Sequence, residues 1–309
     1  MNSVKAFFKL IRWPNLFFIV LTQMLFRYFI LPFVYQNSHS GYESIKLSES
    51  LFYLLVFASV SIAAAGYIIN DYFDVNIDQV NKSSKVIIGK FIKRRSAILL
   101  HALLSLIGLL ISIYIGYKLN NYLIPLFNFL AINILWFYSS TFKRKILIGN
   151  ILISLLTAWV ILVLTLAEYR FRISPGDVVW QSLLKLSFLY AGFAFIISLV
   201  REVIKDMEDV EGDLKYDCKT MPIVWGMPVA KVFTGVWIVV LTGMLVAIQI
   251  YVIQLGWWIS VLYSVITIII PLLWVLKKLY KATTAAEFHQ LSSVVKFIMF
   301  TGIVSMIFF

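Results

Sequence analysis

The sequence has little of what characterises a soluble enzyme or a disulfide-bonded secreted protein. It contains a single cysteine, Cys218, which excludes an internal disulfide framework and a multi-cysteine metal site. Its three histidines are far apart and show no zinc-type spacing. Charged residues make up 14% of the chain, whereas about 25% is usual in soluble domains. These shortages exclude the common soluble classes and leave a chain that is 61% hydrophobic.

Apolar residues occur in nine long runs, each close to the ~20 residues that a helix requires to cross a bilayer core. The runs lack the alternation of a transmembrane β-barrel, so their backbone hydrogen bonds must close within helices. The sequence therefore predicts an all-α polytopic membrane protein, a bundle of nine transmembrane helices. No Pro-, Gly- or Ser-rich linker divides it, and we expect one transmembrane domain over 1–309. The predicted spans are 14–35, 49–70, 96–117, 121–139, 147–167, 180–204, 229–251, 256–276 and 291–309.

Positive charges are distributed unevenly between the connections. The net charge is +12, and 20 of the 27 Lys and Arg residues fall at the N-terminus and in every second loop, against four in the other loops. The positive-inside rule places the richer side in the cytoplasm. We therefore expect an integral protein of the cell membrane with a cytoplasmic N-terminus and an external C-terminus. The basic charge is attributed to this topology rather than to nucleic-acid binding.

Acidic residues are few, and ten of the 15 lie in two short stretches, each with the spacing D-x-x-D-x-x-x-D. On a helix, offsets of zero, three and seven residues fall within about 60° of one another, so each triplet would line one face. Both triplets follow spans predicted to end on the cytoplasmic side, and we expect them to face one cavity there. They are Asp71, Asp74 and Asp78 after the second span, and Asp206, Asp209 and Asp213 after the sixth.

Six carboxylates at one membrane surface repel one another unless cations neutralise them. Carboxylate oxygens, together with the amide oxygen of Asn70, suit Mg²⁺, which keeps positions open for water and phosphate oxygens. A solvated acidic helix end is the alternative, but the same spacing recurs at equivalent helix ends of an acid-poor chain. The residues therefore predict a magnesium site at the cytoplasmic membrane face.

Basic residues occur close to these acids. Lys85 follows the first triplet, while Lys143 and Arg144 lie in the loop between the fourth and fifth spans, predicted at the same membrane face. Metal-bound diphosphate commonly needs further cationic partners, so these three residues are candidates for contact with phosphate. Anchoring of the loops at the cytoplasmic surface is the alternative.

Four stretches of the sequence resemble the UbiA superfamily of intramembrane prenyltransferases. The two acidic stretches are similar to its two aspartate-rich motifs, the loop after the fourth span is similar to its helix 4–5 connection, and the N-terminus is similar to its start. Together with the nine spans, the resemblance covers nearly the whole chain. The stretches read Asn70-Asp71-x-x-Asp74-x-x-x-Asp78, Lys205-Asp206-x-x-Asp209-x-x-Gly212-Asp213, Tyr138-Ser-Ser-Thr-Phe-Lys143-Arg144 with Gly149-Asn150, and Arg12-x-Pro14-Asn15.

The resemblance implies a helical enzyme that transfers a polyprenyl group from a prenyl diphosphate to a lipophilic acceptor within the membrane lipid, with Mg²⁺ as the cofactor. Carried over by position, the implied metal ligands are Asn70, Asp71, Asp74 and Asp78 for one ion and Asp206, Asp209 and Asp213 for the other. The implied catalytic residues are Asp71, Asp74, Asp209 and Asp213. The implied diphosphate contacts are Asn15, Lys85, Lys143 and Arg144.

One position departs from the family's pattern. The family often follows its first motif with N-K-P-x-R-P, whereas here Lys85 stands in place of the arginine and both prolines are absent. Lysine keeps the charge but loses the bidentate fork of arginine. Any contact of Lys85 with diphosphate would therefore be that of a single point charge rather than of a bidentate fork.

The residues leave the acceptor open. The stretch from Lys205 to Val224 resembles most closely the branch that prenylates geranylgeranylglyceryl phosphate, but branches that act on aromatic acids or quinone precursors share the metal motifs. A membrane terpene cyclase of the same superfamily is a further alternative. A secondary transporter is an alternative of another class, because intramembrane acids and a repeated motif also fit transport.

Overall fold

The computed structural model describes residues 3–36, 45–81, 86–169 and 177–309, without the side chains at positions 77, 78, 80 and 81. Within these ranges nine helices are long and apolar enough to cross a membrane, which confirms the predicted all-α fold and its number of spans. The nine are all of the helices except the short α1, α8 and α9. In chain order the helices are α1 (Ser3–Leu10), α2 (Trp13–Gln36), α3 (Glu49–Asn81), α4 (Arg94–Leu119), α5 (Leu123–Ser140), α6 (Ile148–Glu168), α7 (Val178–Glu208), α8 (Val210–Lys215), α9 (Met221–Val224), α10 (Met227–Gln254), α11 (Trp258–Lys281) and α12 (Ala285–Phe308).

Two helices extend well beyond their predicted bounds. Helix α3 continues to Asn81 instead of ending near residue 70, so the first acidic motif lies within its last turns. Helix α12 begins at Ala285 rather than at residue 291, because Thr284 and Glu287 form a capping box. The Glu287 amide donates to Thr284 Oγ1 at 3.3 Å, and the Thr284 amide donates to Glu287 Oε2 at 2.9 Å. This reciprocal pairing satisfies amides that a helix start otherwise leaves without acceptors.

The chain divides into two compact units. The first comprises Met1–Phe142 and Trp159–Leu189, and the second comprises Lys143–Ala158 and Tyr190–Phe309. Each unit therefore carries one of the two acidic motifs. The single domain over 1–309 stays a prediction.

In the first unit, close helix contacts depend on glycine. A Cβ atom on Gly108 of α4 would lie 2.6 Å from the Ile62 side chain and 3.2 Å from the Ala58 carbonyl oxygen, both on α3. A Cβ on Gly66 of α3 would lie 2.8 Å from Leu135 of α5. Small residues at such positions let helix backbones approach each other where the hydrophobic effect no longer drives association. These contacts fix the helix that carries the first acidic motif.

Two charged side chains inside the spans of the first unit, Glu168 and Arg27, have hydrogen-bonded partners. The buried Glu168 carboxylate accepts hydrogen bonds from the Tyr35 hydroxyl at 2.8 Å and from the amides of Lys46 and Leu47 at 2.8 and 3.0 Å. Arg27 donates to the Leu47 carbonyl at 3.1 Å and lies 3.4 Å from a Glu49 carboxylate oxygen. Both groups serve to hold the ends of spans together, so neither supports a transport pathway.

In the second unit, an apolar core holds the end of α7 at which the second acidic motif begins. Buried Ile204 and Met207 of α7 belong to one cluster with side chains from α9, α10, α11 and α12. Completely buried members of this cluster include Leu272 and Val295. Because Ile204 and Met207, on either side of Asp206 in the sequence, are both buried in this core, packing holds the end of α7 that carries Asp206.

Two spans contain a wider, π-helical turn before a proline. In α2 the turn covers Phe26–Ile30 and Pro32 follows, and in α11 it covers Val265–Ile269 and Pro271 follows. Proline cannot donate a backbone hydrogen bond, and its ring crowds the preceding turn. One extra residue in that turn relieves the crowding without ending the helix.

Candidate active site

The first acidic motif is a short ladder of oxygen atoms on one continuous helix. Asn70, Asp71 and Asp74 lie in the last turns of α3, and all three are partly buried. The Asn70 Nδ2 donates to Asp74 Oδ2 at 2.9 Å, one helical turn along. Among the described residues the buried Asn70 Oδ1 has no hydrogen-bond donor. An amide oxygen buried without a donor is costly, and it is the kind of ligand that Mg²⁺ takes.

Arg12 pairs with one carboxylate of this motif. Its guanidinium Nη2 donates to Asp71 Oδ1 at 2.6 Å and lies over the Tyr67 ring, 5.3 Å from the centroid. Burial works against the Arg12 charge, but the Asp71 carboxylate outweighs it and holds the pKa of the guanidinium above its ordinary value. Arg12 has a left-handed backbone, φ +51°, between α1 and α2, a conformation uncommon for a residue with a side chain. The sequence singled out Arg12 only within a resemblance, and its ion pair joins residues 59 positions apart.

Three other residues were predicted to lie beside the first motif, and the structure describes the side chain of only one of them, Asn15. The amide of Asn15 donates to the Arg12 carbonyl at 2.8 Å, so Asn15 lies in the first turn of α2 next to the residue that pairs with Asp71. Asp78 belongs to α3, but its side chain lies outside the described part of the chain. Lys85 lies outside it entirely. The assignments of Asn15, Asp78 and Lys85 stay predictions.

Aromatic rings surround one side of the first motif. Phe73 meets Trp136 of α5 edge to face with 5.9 Å between ring centroids, and Trp136 lies against His101 of α4 at 5.3 Å. The Nδ1 of His101 lies 3.0 Å from the Ala65 carbonyl oxygen, which fixes the ring. Such faces attract cations through their quadrupoles. Phe73, which follows Asp71 and Tyr72 on α3, is thus the first member of a row of packed rings that continues through Trp136 to His101.

The second acidic motif departs from the single helix that its spacing predicts. Helix α7 ends at Glu208, Asp209 adopts φ −97° and ψ 8°, and Asp213 lies on the separate short helix α8. The amides of Asp209 and Asp213 still donate four residues back, at 2.9 and 3.1 Å. The prediction of one uninterrupted helix face over Asp206, Asp209 and Asp213 is therefore wrong at Asp209. The spacing argument assumes an ideal helix, which the chain does not maintain there.

Asp206 has a dedicated hydrogen-bond donor that the sequence did not identify. The Asn150 Nδ2 of α6 donates to Asp206 Oδ2 at 2.8 Å, and Asn150 itself is buried. The charges of Glu202, Asp213 and Lys205 also act on the Asp206 carboxylate. The pair Asn150–Asp206 in the second unit therefore parallels the pair Asn70–Asp74 in the first. The two residues are 56 positions apart, so helical spacing could not have indicated the contact.

Lys143 and Arg144 lie on a single 3₁₀ turn, Phe142–Arg144, in the connection between α5 and α6. The amide of Lys219 donates to the Arg144 carbonyl at 2.8 Å, which joins this connection to the segment after the second acidic motif. Arg144 is exposed and Lys143 is half-buried. Contact of either side chain with phosphate stays a prediction, but the second unit holds their backbone near α8 and α9.

The two acidic motifs provide oxygen atoms of the kind that bind Mg²⁺. In the described part of the chain, no three Asp, Glu, His or Cys side chains are gathered closely enough to hold a metal by themselves. Each motif instead offers carboxylate oxygens. The first motif also offers the amide oxygen of Asn70, which accepts no hydrogen bond within the described part of the chain. Mg²⁺ is usually held by one or two carboxylates and completes its shell with water and phosphate oxygens. The residues present therefore fit this ion in an incomplete protein shell.

The sequence matches a known family of proteins. The profile of the UbiA prenyltransferase family matches residues 38–301. A digeranylgeranylglyceryl phosphate synthase of Methanobrevibacter smithii is 32% identical over 194 residues, which is 62% of each chain. One from Methanosphaera stadtmanae is 28% identical over 250 residues, 78% of this chain and 81% of the relative. The match to the first of these relatives thus spans less than two thirds of its length.

Solved structures show the same fold. A structure of digeranylgeranylglyceryl phosphate synthase matches 99% of both chains with a TM-score of 0.62 at 22% identity. A UbiA homologue from Archaeoglobus fulgidus bound to DMAPP and Mg²⁺ matches 97% of this chain and 99% of its own, with a TM-score of 0.57 at 14% identity. With the nine apolar spans and the match over residues 38–301, the chain is an integral membrane protein and belongs to the UbiA prenyltransferase family.

Proposed function

We propose that the protein transfers a prenyl group from an allylic prenyl diphosphate to a lipophilic acceptor within the membrane, with Mg²⁺, and that the acceptor is geranylgeranylglyceryl phosphate. The observation that carries the proposal is that an asparagine amide holds an aspartate of each motif, Asn70 on Asp74 at 2.9 Å and Asn150 on Asp206 at 2.8 Å. Such partners orient a carboxylate while its remaining lone pairs stay available to a cation. The names of the two archaeal relatives support the choice of acceptor.

The ions would be held by the residues of the two motifs. Asn70, Asp71 and Asp74 would hold one, with Asp78 by its place in the sequence, and Asp206, Asp209 and Asp213 would hold the other. When bound, Mg²⁺ neutralises charge on the diphosphate leaving group and so favours its departure from the allylic carbon. The Archaeoglobus homologue bound to DMAPP and Mg²⁺ supports this choice of ion and substrate class.

The proposed reaction exchanges one carbon–oxygen bond for another. The bond between C1 of the prenyl chain and the diphosphate oxygen breaks, and its electron pair leaves with the diphosphate. A bond then forms between C1 and the acceptor hydroxyl oxygen, whose proton is released. Because no covalent enzyme intermediate is needed, the task of the protein is to position the substrates and to stabilise charge.

Residues of the chain have distinct parts in this scheme. Arg12 keeps the Asp71 carboxylate compensated and in place before an ion binds. Lys143 and Arg144 supply positive charge for the diphosphate. The faces of Trp136 and Phe73 stabilise developing positive charge on the prenyl chain, an attraction worth roughly 2 kcal/mol or more in a desolvated site. The surrounding spans exclude the water that would otherwise capture the allylic cation.

The proposed orientation follows from the loop charges. The N-terminus and both acidic motifs would lie on the cytoplasmic side, where Mg²⁺ and the diphosphate head group are available, and the C-terminus would lie outside. Tags at each terminus, tested for accessibility in intact cells, check this arrangement. An externally accessible N-terminus contradicts it.

A product assay tests the proposed function. Purified protein in detergent receives geranylgeranyl diphosphate and a panel of acceptors, with Mg²⁺ or with EDTA, and the products are identified by mass spectrometry. We expect a prenylated ether-lipid phosphate that forms only with Mg²⁺. An adduct with an aromatic acid or quinone precursor instead would refute the acceptor. Diphosphate release without an adduct to any acceptor would favour the cyclase alternative, and the absence of both turnover and metal-dependent substrate binding would favour transport.

A further inference from the structure

The first unit has an exposed surface that combines aromatic rings with cations and belongs to neither acidic motif. It is formed by α1 and by the segment that leads into α4, and we call it the α1–turn surface. Its members, all exposed, are Lys5, Phe8, Phe91, Lys93, Arg94 and Arg95. The proposed transfer reaction uses none of them.

Helix α1 packs on the body of the first unit through one face only. Ala6 and Leu10, which are four residues apart, are completely buried in a cluster that includes Ile68 of α3. Lys5 and Phe8 lie outside this buried face, and Phe8 is 50% exposed. The helix is therefore docked on the unit with an outward face that is both apolar and cationic.

A tight turn packs in the same cluster as α1. Buried Ile87 and Ile88 anchor the turn, and the Phe91 amide donates to the Ile87 carbonyl at 2.9 Å. Gly89 has φ +88°, a backbone conformation that a glycine adopts readily and that folds the chain back. Phe91, within the turn, is 47% exposed. The turn therefore presents an aromatic ring outward in the part of the unit where α1 packs.

Three consecutive cations follow the turn at the start of α4. They are Lys93, Arg94 and Arg95. Positive charge in the first turn of a helix opposes the helix dipole, so these side chains do not serve to stabilise α4. Neither 3–13 nor 86–97 contains an Asp or a Glu. Within the part of the chain that the structure describes, no acid forms an ion pair with Lys5 or with any of the three.

Both parts of the α1–turn surface lie where membrane spans begin. Helix α1 leads into α2, and the three cations begin α4. Because α3 crosses the membrane between them, α2 and α4 begin on the same side. Exposed rings beside cations at this level are typical of elements that bind anionic lipid at the membrane interface. Membrane topology alone, or a soluble anion, would require the charges but not the rings.

We propose that the α1–turn surface binds the head groups of anionic phospholipids. Phe8 and Phe91 lie at the acyl boundary, while Lys5 and the cations of α4 contact the phosphates. The cluster beneath this surface also contains Val75, which directly follows Asp74 on α3. Bound lipid therefore stabilises the helix end that carries the first acidic motif. The inference does not depend on which acceptor the enzyme uses.

The test measures lipid binding through its effect on thermal unfolding. Purified protein in detergent is titrated at low salt with dioleoyl phosphatidylglycerol or with dioleoyl phosphatidylcholine, and each apparent affinity is taken from the rise in unfolding temperature. We expect the wild type to prefer phosphatidylglycerol. Each Lys or Arg near a membrane surface contributes about fivefold in affinity for anionic lipid. The triple variant Lys93→Gln/Arg94→Gln/Arg95→Gln should therefore lower the ratio of the two affinities by about 100-fold.

The matched control removes three exposed lysines from the end of α11 in the second unit. It is Lys277→Gln/Lys278→Gln/Lys281→Gln, which changes the net charge by the same amount. We expect this control to keep the wild-type ratio. Phe91→Ser should weaken the binding of both lipids by a similar factor, about 3- to 10-fold, because insertion of a ring does not distinguish head groups.

Three results would overturn the inference. An equal fall of the ratio in both triple variants would reduce the effect to overall charge. Equal affinity of the wild type for the two lipids would leave the cations of α4 to membrane topology alone. Inorganic diphosphate, added with EDTA and without lipid, would assign the surface to a soluble anion if it raised the unfolding temperature in the wild type but not in the α4 variant.

A second measurement on the wild type covers the case in which the α4 variant does not fold. Exposed charges are screened by salt, so an increase in NaCl from about 0.05 M to about 0.5 M should lower the preference for phosphatidylglycerol by at least about 10-fold. A preference that does not change with salt would contradict binding through exposed cations.

Discussion

Asn150 offers a sharp test of the second acidic motif, because its role can be separated from that of the metal ligands. Its Nδ2 donates to the Asp206 carboxylate at 2.8 Å, and both groups are held by the packing of α6 and α7. Asn150→Ala removes this donor but leaves all the proposed ligands in place. A hydrogen bond to a charged group is worth about 1.5–3 kcal/mol, so the loss corresponds to roughly 10- to 100-fold in an equilibrium constant.

The effect of Asn150→Ala should fall on metal affinity. Residues that orient a metal ligand typically change affinity or activity by about 10- to 100-fold when removed. We therefore expect the Mg²⁺ concentration for half-maximal transfer to rise by about that factor, while kcat at saturating Mg²⁺ changes much less. The assay is product formation as a function of Mg²⁺ concentration, with correct folding checked by thermal unfolding.

Ser154→Ala is the matched control for Asn150→Ala. Ser154 is buried one turn further along α6, and its hydroxyl donates to the Asn150 carbonyl at 2.7 Å rather than to an acidic side chain. We expect its Mg²⁺ dependence to match that of the wild type. If Asn150→Ala also keeps a wild-type Mg²⁺ dependence while remaining folded, Asn150 does not orient a metal ligand and the reasoning is refuted.

Two further predictions address the first unit. Arg12→Gln leaves the partly buried Asp71 without its cation. The free energy of unfolding should therefore fall by about 1–2 kcal/mol without Mg²⁺ and recover when Mg²⁺ is added. Thermal unfolding measures this change, and a loss of stability that does not depend on Mg²⁺ would contradict a metal at Asp71. Gly108→Ala forces a Cβ to 2.6 Å from Ile62 and should cost about 1–3 kcal/mol. Gly243→Ala on α10, where a Cβ meets nothing within 4 Å, should be neutral or slightly stabilising in the same assay.

The spans and the motifs were predictable because both are local properties of the sequence. A run of about 20 apolar residues must form a helix in lipid, since its backbone can hydrogen-bond nowhere else. Residues such as Asn70 and Asp74 lie one turn apart, so helical geometry alone indicates their contact. The capping box of Thr284 and Glu287 was equally local and would have corrected the start of α12.

Contacts between distant segments were not predictable from spacing. Asn150 meets Asp206 and Arg12 meets Asp71 only because different helices pack together, and no periodic pattern encodes such pairs. The interruption at Asp209 was missed because the spacing argument treats every helix as ideal. The functional details therefore depend on tertiary packing, while the fold depends on hydrophobic length.

The most direct test of the central claim compares two acids on one short helix. Asp213 and Glu211 both belong to α8, but Glu211 is 84% exposed and pairs with Lys215 at 3.2 Å, whereas Asp213 belongs to the proposed metal set. Mg²⁺-dependent prenyl transfer is measured by mass spectrometry for wild type, Asp213→Ala and Glu211→Ala. We predict that Asp213→Ala loses at least about 100-fold in rate, as expected for a group that stabilises charge at the reacting centre, and that Glu211→Ala retains wild-type activity. Equal activity of the two variants, or transfer that continues in EDTA, would contradict a metal-dependent prenyltransferase built on these motifs.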